Sequence, residues 1–256
     1  SSASMLFRTL DEGTTWDLAQ VPVLNGNPAV WDMCPVGNTL WGAFQNVIAT
    51  SVDTGNTWNL QLTPYGPLQL ANKGDTLFVG GGAGFFKSYN QAKSWISGNN
   101  GWSQAGYFTG YSLPAENIYA DQHRLYLSAH NAGLFSTKDD GIEWTMHSKR
   151  NGFRHYVYSG DTIMFLQPGA LRSLDGADTW DYLPATTTSP LSGFYDFACS
   201  SHALFAASWT DTHLRRSIDF GETWQPLSLG ISFFEYMAVA GNFLYVADGD
   251  GIAVSN

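Results

Sequence analysis

Asp32 in "VWDMC" and Asp196 in "FYDFAC" stand at corresponding places in two similar segments, and Glu235 lies beside the start of a third such segment. Two carboxylates held at a defined separation are what glycoside hydrolysis requires, one as acid and the other as base or nucleophile. These three acids are therefore the candidate catalytic groups. A solvated acidic wall is the other reading of the same placement. Metal chemistry is poorly supplied. The six histidines are scattered, with His123 and His202 in short turns, and "DGDG" at 248–251 is too short to give calcium six oxygens alone. No metal and no cofactor are expected. "GGGAG" at 80–84 precedes no helix, so it is not a phosphate cradle.

A second candidate set could bind rather than react. The segment 97–117 carries Trp102, Tyr107, Phe108 and Tyr111 among Asn, Gln and Gly, and is about twice as long as its counterparts. Exposed rings beside amides suit sugar faces or a protein partner, and long loops in compact domains tend to be functional. Arg154, Phe233 and Phe234 fall in other inter-blade segments, and Trp209 falls in a loop between second and third strands, on the same expected face. The alternative is that the rings fold down over the protein's own edge.

The bulk of the chain narrows the classes. It has 256 residues, 44% hydrophobic, 15% aromatic and 13% charged, with a formal net charge of −10. That is enough apolar material for one large core or two small ones. No basic run would bind a phosphate backbone, so nucleic acid is excluded as a partner. No apolar run approaches the ~18 residues of a membrane helix. The first residues lack the basic and apolar regions of a signal peptide, so an exported protein is here in processed form. Cys34 and Cys199 read as matching first-strand positions and as buried free thiols.

What must position these groups is a repeat. An octapeptide ending in Trp recurs as "TLDEGTTW" (9–16), "SVDTGNTW" (51–58), "SYNQAKSW" (88–95), "TKDDGIEW" (137–144), "SLDGADTW" (173–180) and "SIDFGETW" (217–224). Its third residues are Asp11, Asp53, Asn90, Asp139, Asp175 and Asp219; its last are Trp16, Trp58, Trp95, Trp144, Trp180 and Trp224. A period near forty marks propeller blades or other stacked units. A short apolar strand precedes each box, another strand follows the Trp, and then comes a hairpin with Gly-Asn or Gly-Asp turns, as in "VGNT" and "SGDT". One repeat is thus four antiparallel strands, and no stretch keeps a helical period. Within the box, the Ser/Thr hydroxyl and the Asp carboxylate accept from turn N–H groups. Gly permits positive φ, and Trp clamps the turn to the sheet as a core residue. "SYNQAKSW", with Asn90 and Ala92, is expected to be the weakest corner.

The boxes resemble Asp-box, or bacterial neuraminidase, repeats, which occur in sialidases, xyloglucanases and sortilin-type receptors. The resemblance covers almost the whole chain and implies a β-propeller with the boxes on the rim, between third and fourth strands. It says little about activity. The sialidases it resembles hold substrate with three arginines, use a Tyr–Glu nucleophile pair and carry an Arg-Ile-Pro signature. No Arg-Ile-Pro occurs here, and Arg8, Arg172 and Arg216 stand just before boxes, where they are framework. Arg154, with Arg150 and Arg215, makes a thin triad.

The expected fold is therefore all-β: one domain over residues 1–256, a six-bladed β-propeller of four-stranded antiparallel blades. The strands number two at the start, five sets of four, and three at the end, so one third strand is redundant. The N- and C-terminal strands would close the ring; a fragment of a seven-bladed ring is the alternative. The expected role is a non-catalytic binding or scaffold module, extracellular, at the cell surface or periplasmic. It would engage a protein or glycan through the inter-blade loops, without membrane insertion and with a larger assembly left open. A glycoside hydrolase is the runner-up.

Overall fold

The computed structural model describes residues 6–11, 13–22, 30–44, 47–61, 66–98, 115–129, 132–150, 153, 155–167, 169–183, 194–200, 202–208, 214–227, 236–240, 243–247 and 252–255. Among them all regular structure is β, in twenty-five strands. They fall into two compact units, Ser1–Gly152 and Phe153–Asn256.

The first unit opens with a two-stranded sheet, β1 (Leu6–Arg8) and β2 (Asp17–Ala19). Three four-stranded sheets follow: β3 (Val30–Val36), β4 (Thr39–Phe44), β5 (Val47–Ser51) and β6 (Asn59–Gln61); β7 (Pro67–Lys73), β8 (Thr76–Gly81), β9 (Gly84–Ser88) and β10 (Ile96–Ser97); β11 (Ala115–Ala120), β12 (Leu125–Ala129), β13 (Gly133–Thr137) and β14 (Thr145–Ser148). The second unit has two more, β15 (His155–Ser159) to β18 (Asp181–Leu183) through β16 (Thr162–Gln167) and β17 (Gly169–Ser173), and β19 (Phe194–Cys199) to β22 (Gln225–Leu227) through β20 (Leu204–Ser208) and β21 (Leu214–Ser217). It ends in three strands, β23 (Tyr236–Ala240), β24 (Phe243–Ala247) and β25 (Ile252–Ser255). Every sheet is an antiparallel meander of sequential neighbours. The count and the redundant third strand are those the repeat predicts.

The sequence explains the layering. β5, β12, β13 and β17 are buried along their whole length, because both faces are covered; hence runs such as "LYLSA" instead of strict alternation. Each core lies between consecutive sheets. Cys34, Trp41 and Ile48 meet Leu70, Leu77 and Val79; Phe78 and Phe85 meet Ile118, Leu125 and Leu127; Val157 and Met164 meet Phe197, Leu204 and Ala206. The outer strands are only two to four residues long and mostly exposed, and short edges of this kind discourage edge-to-edge pairing. The tight hairpins have Gly37, Gly74 and Gly160 at φ of 57, 57 and 58°, the positive first angle of type II′ turns.

The octapeptide is a closed hydrogen-bonding unit. In the last copy Ser217 Oγ donates to Asp219 Oδ1 at 2.7 Å and accepts from Gly221 N at 2.8 Å. Asp219 Oδ1 accepts from Thr223 N at 2.9 Å, and Oδ2 accepts from Thr223 Oγ1 at 2.6 Å. One hydroxyl and one carboxylate thus satisfy the donors of a turn that cannot pair with a strand. Two successive residues take positive φ, not one. The fifth is Gly13, Gly55, Gly141 or Gly221, but Ala92 and Ala177 in the other copies; the fourth is Thr54, Gln91, Asp140, Gly176 or Phe220. The Asn90 corner keeps the same bonds: Oδ1 accepts from Ser94 N and Ser88 Oγ, both at 3.0 Å, while Nδ2 donates to Ser94 Oγ at 2.8 Å. Only the polarity of that last bond is reversed.

The box tryptophans are half-buried, not sealed in the core, and Trp16 is 38% exposed. Four of them meet a phenylalanine ring edge-on or tilted: Trp58 on Phe44 at 5.0 Å, Trp144 on Phe85 at 5.4 Å, Trp180 on Phe165 at 5.8 Å and Trp224 on Phe197 at 6.2 Å. Trp58 Nε1 reaches the Gln20 carbonyl at 2.7 Å, tying β3–β6 to the chain after β2. The cation before a box reaches forward to the next. Arg8 Nη1 donates to Thr54 O at 2.8 Å, Lys87 Nζ to Asp140 O at 2.8 Å and Arg172 Nη1 to Phe220 O at 3.2 Å. Each acceptor is the carbonyl of a positive-φ residue. Arg8 and Arg172 are framework, as the repeat implied.

Replacing Asp219 by Ala strands the Thr223 amide and should cost about 2 kcal/mol in urea unfolding. Asp219→Asn should restore most of that, since Asn90 already fills the role. Thr57 and Thr179, through hydroxyl and then amide, with Ser51 and Ser173, hold Asp53 and Asp175 down to about 2 from the ordinary 3.8. A depressed acid stabilises above its unfolded value and loses that contribution as pH falls through the folded one. The melting temperature should therefore fall between about pH 4 and pH 2, and fall less in an Asp53→Asn/Asp175→Asn double variant.

Candidate functional site

The first strand of a sheet begins where the inter-blade segment enters it, so its opening residues lie at the inter-blade-loop end of the sheet. In β3, β7, β11 and β19 the register slips by one residue there, at Trp31, Leu68, Glu116 and Tyr195. A bulge of this kind turns the following side chain and tightens the twist. The residue after it is polar each time: Asp32, Gln69, Asn117 and Asp196, opposite Ala43, Gly80, Ser128 and Ala207. β15 and β23 have no slip, and the same register position holds His155, opposite Leu166, and Tyr236, opposite Ala247. The first unit thus carries Asp32, Gln69 and Asn117 in a row, and the second His155, Asp196 and Tyr236. The sequence reading singled out only the two aspartates. Distance from the following hairpin could have found the others: the polar residue stands four places before the last residue paired across a two-residue turn, or three before a four-residue one.

The aspartates have a definite job. Asp32 Oδ1 accepts from Met33 N at 2.8 Å and Oδ2 from Leu70 N at 2.8 Å, on the first strand of the next sheet. Asp196 repeats this: Oδ1 accepts from Phe197 N at 2.8 Å, and Oδ2 accepts a short bond from Met237 N. Both acids are seams that tie the first strand of one sheet to the first strand of the next. Burial pushes the Asp32 carboxyl up, against the pull of the Leu70 and Met33 amides. His155 joins the seam of the second unit, with Nδ1 3.2 Å from Asp196 Oδ1.

The cysteines do not occupy matching positions. Cys34 pairs across to Trp41 and Cys199 to Leu204, so they stand one register step apart relative to the bulge. Cys34 Sγ contacts Asn72 Oδ1 of the following sheet at 3.1 Å, and Cys199 Sγ contacts the Tyr158 carbonyl of the preceding one at 3.3 Å. Both are free thiols, Cys34 buried and Cys199 partly so. Burial, and secondarily Asp32, pushes the Cys34 thiol up to about 12, which makes it a poor nucleophile.

Glu235, Trp102, Tyr107, Phe108, Tyr111, Arg154, Trp209, Phe233 and Phe234 lie outside the described residues. Arg150 is exposed after β14, and Arg215 is half-buried within β21. Among the described residues no three His, Cys, Asp or Glu side chains are grouped to hold a metal ion, and no helix is long and apolar enough to cross a membrane.

Removing the Asp196 carboxylate should open the seam. Asp196→Ala leaves the Phe197 and Met237 amides unpaired at a cost of about 2–3 kcal/mol. Amide exchange at Met237 should accelerate relative to that at Leu204; unchanged Met237 protection would refute the seam.

No protein-family model matches the chain, and no curated protein matches it in sequence. Solved structures do resemble it. YCF48 bound to a D1 peptide superposes with a TM-score of 0.72 at 16% identity, over 98% of this chain and 86% of that one. The extracellular domain of the two-component system protein BT4673 from B. thetaiotaomicron gives 0.69 at 13%, over 95% of this chain and 35% of that one. The GH74 xyloglucanase from Xanthomonas campestris gives 0.61 at 14%, over 86% and 43%. The chain thus spans about a third of the BT4673 domain and under half of the xyloglucanase. At these identities the likeness is one of fold, and the fold is an all-β six-bladed β-propeller of four-stranded antiparallel blades.

Proposed function

We propose that this chain is a non-catalytic binding propeller, exported or surface-exposed, which engages a protein or glycan through the segments that join its blades. The observation that carries this reading is the commitment of Asp32 and Asp196. A hydrolase needs carboxylate oxygens free to reach a glycosidic oxygen or a water. Here each carboxylate accepts backbone N–H bonds on both oxygens, one of them across a seam. Among the neighbours, YCF48 is described with a bound peptide, which supports a protein partner, and the xyloglucanase supports a glycan. The octapeptides, with their Ser/Thr–Asp hydrogen bonds, are read as Asp-boxes, and residues 1–256 as one domain. The aromatic segment carrying Trp102, Tyr107, Phe108 and Tyr111, together with Arg154 and Trp209, is the proposed contact surface. The net charge of −10 favours neutral or basic partners over anionic ones.

The second reading, a glycoside hydrolase, is favoured by one feature. Burial raises the Asp32 carboxyl, in the direction a general acid requires. One experiment separates the two. The purified chain is applied to a glycan array and a peptide array, and xyloglucan is incubated with it and assayed for new reducing ends. Retention of an array ligand without reducing-end release is the expected result, with retention lost in Trp102→Ala or Tyr107→Ala at nearly unchanged melting temperature. Reducing-end release abolished by Asp32→Asn would establish the hydrolase instead.

A further inference from the structure

The seam of the first unit fixes one residue that its structural task does not use. Where β3 slips register, the extra residue is Trp31, between Val30 and Asp32. Asp32 is pinned on both oxygens, by Met33 N and Leu70 N at 2.8 Å each, so the backbone that carries the indole is held. A bulge re-aims the side chain it carries, and Trp31 is 51% exposed at the inter-blade-loop end of its sheet. Every other described tryptophan is better covered: Trp41 is 5% exposed, Trp16 is 38% exposed, and the remaining box rings are half-buried. The fold thus forgoes at Trp31 the apolar burial that it obtains from the others. Among the described residues the Trp31 ring has no aromatic partner and its Nε1–H no acceptor. Across the seam, Gln69 precedes Leu70 as Trp31 precedes Asp32. Its side chain is half-buried and makes no hydrogen bond among the described residues.

We propose that Trp31 is a binding platform for a cationic side chain, an arginine or lysine in an extended segment of a partner protein, with Gln69 bonding that segment's backbone. This rests on the binding reading above and narrows it to a protein ligand. Charge selects the ligand. No Lys, Arg or His occurs between Arg8 and Lys73, and the charged residues of that stretch are Asp11, Glu12, Asp17, Asp32 and Asp53. The two flanking cations are engaged, Arg8 with the Thr54 carbonyl and Lys73 with the Asp140 carboxylate. Nothing in the β3–β6 sheet therefore repels a cation, and the whole chain carries −10, which speeds encounter with a basic partner. Indole is the aromatic face that attracts a cation best. The other groups suit a peptide over a free ion. Nε1–H donates to a carbonyl, and the Gln69 carboxamide both donates and accepts, as a backbone amide does. Because the strand is already pinned, little freedom is lost on binding.

The test uses the full chain labelled with fluorotryptophan and followed by fluorine NMR. The probes are acetyl-Gly-Arg-Ser-Arg-Gly-amide and the same peptide with citrulline in place of arginine. Trp31→Phe identifies the Trp31 resonance. The arginine peptide should move that resonance saturably and leave the buried Trp41 signal in place, and the citrulline peptide should leave both. Trp31→Ala should weaken binding of the arginine peptide by at least about fivefold at nearly unchanged melting temperature, and Trp31→Phe by less. If Trp31→Ala does not fold, the wild-type titration decides alone. A Trp31 signal unmoved at millimolar arginine peptide overturns the proposal, as does an equal response to the citrulline peptide. Movement with xyloglucan oligosaccharide and not with the arginine peptide also overturns it, by assigning the platform to a glycan. If the chain retains a basic array peptide and Trp31→Ala retains it equally, this inference fails while the binding function stands.

Discussion

The structure depends on one local device: a hydroxyl and a carboxylate, two residues apart, that absorb the backbone donors of a turn. A four-stranded antiparallel sheet must reverse direction three times. The corner before its outermost strand is the hardest, because that strand is too short to hold the turn by pairing. Ser or Thr with Asp does it chemically. Two consecutive residues then sit at positive φ, in a conformation that costs roughly 1–2 kcal/mol per non-glycine residue. The carboxylate's hydrogen bonds make that cost tolerable, which is why Thr54, Asp140 and even Phe220 stand where glycine would be easier. The strain has a further use. The carbonyl of the strained fourth residue is turned outward, where Arg8, Lys87 and Arg172 of preceding sheets reach it. The turn that ends one sheet is thereby also the socket for its neighbour.

The inner end of the sheets solves a different problem by similar means. Innermost strands pack side by side without pairing, so amides at the seam lack strand partners. Asp32 and Asp196 supply acceptors to Leu70 and Met237, each directed by a bulge placed just before it. A residue type that suggests catalysis is here an architectural acceptor.

Much of this was legible in the sequence. The octapeptide fixed the repeat length, the strand count and the redundant third strand, because its Ser/Thr, Asp and Trp are each required by the same turn. The equivalence of Asp32 and Asp196 was legible for the same reason. Their role was not, since a carboxylate that accepts two backbone amides and one that faces water are spelled alike; only the neighbouring strand's Leu70 and Met237 decide it. The cysteines were misplaced by one register step because the turn after β19 is longer than the turn after β3, and counting from flanking motifs cannot see that. His155 was missed because it stands at the end of what reads as a connecting segment. Ala92 was expected to weaken its corner for want of glycine, yet Ala177 occupies the same place in a corner with its full set of carboxylate bonds. The carboxylate or amide acceptor, more than the glycine, holds the turn.

The cations that reach forward in the first unit do not occur in every sheet. Arg8 and Lys87 occupy the position before their boxes, while the intervening copies have Thr50, which turns back to its own sheet, and Ser136, which bonds His147 within its own. Sheets in this unit are consequently riveted in couples: β1–β2 with β3–β6, and β7–β10 with β11–β14. Gain or loss of a single sheet during descent would set two rivets in tandem or leave a strained carbonyl without one.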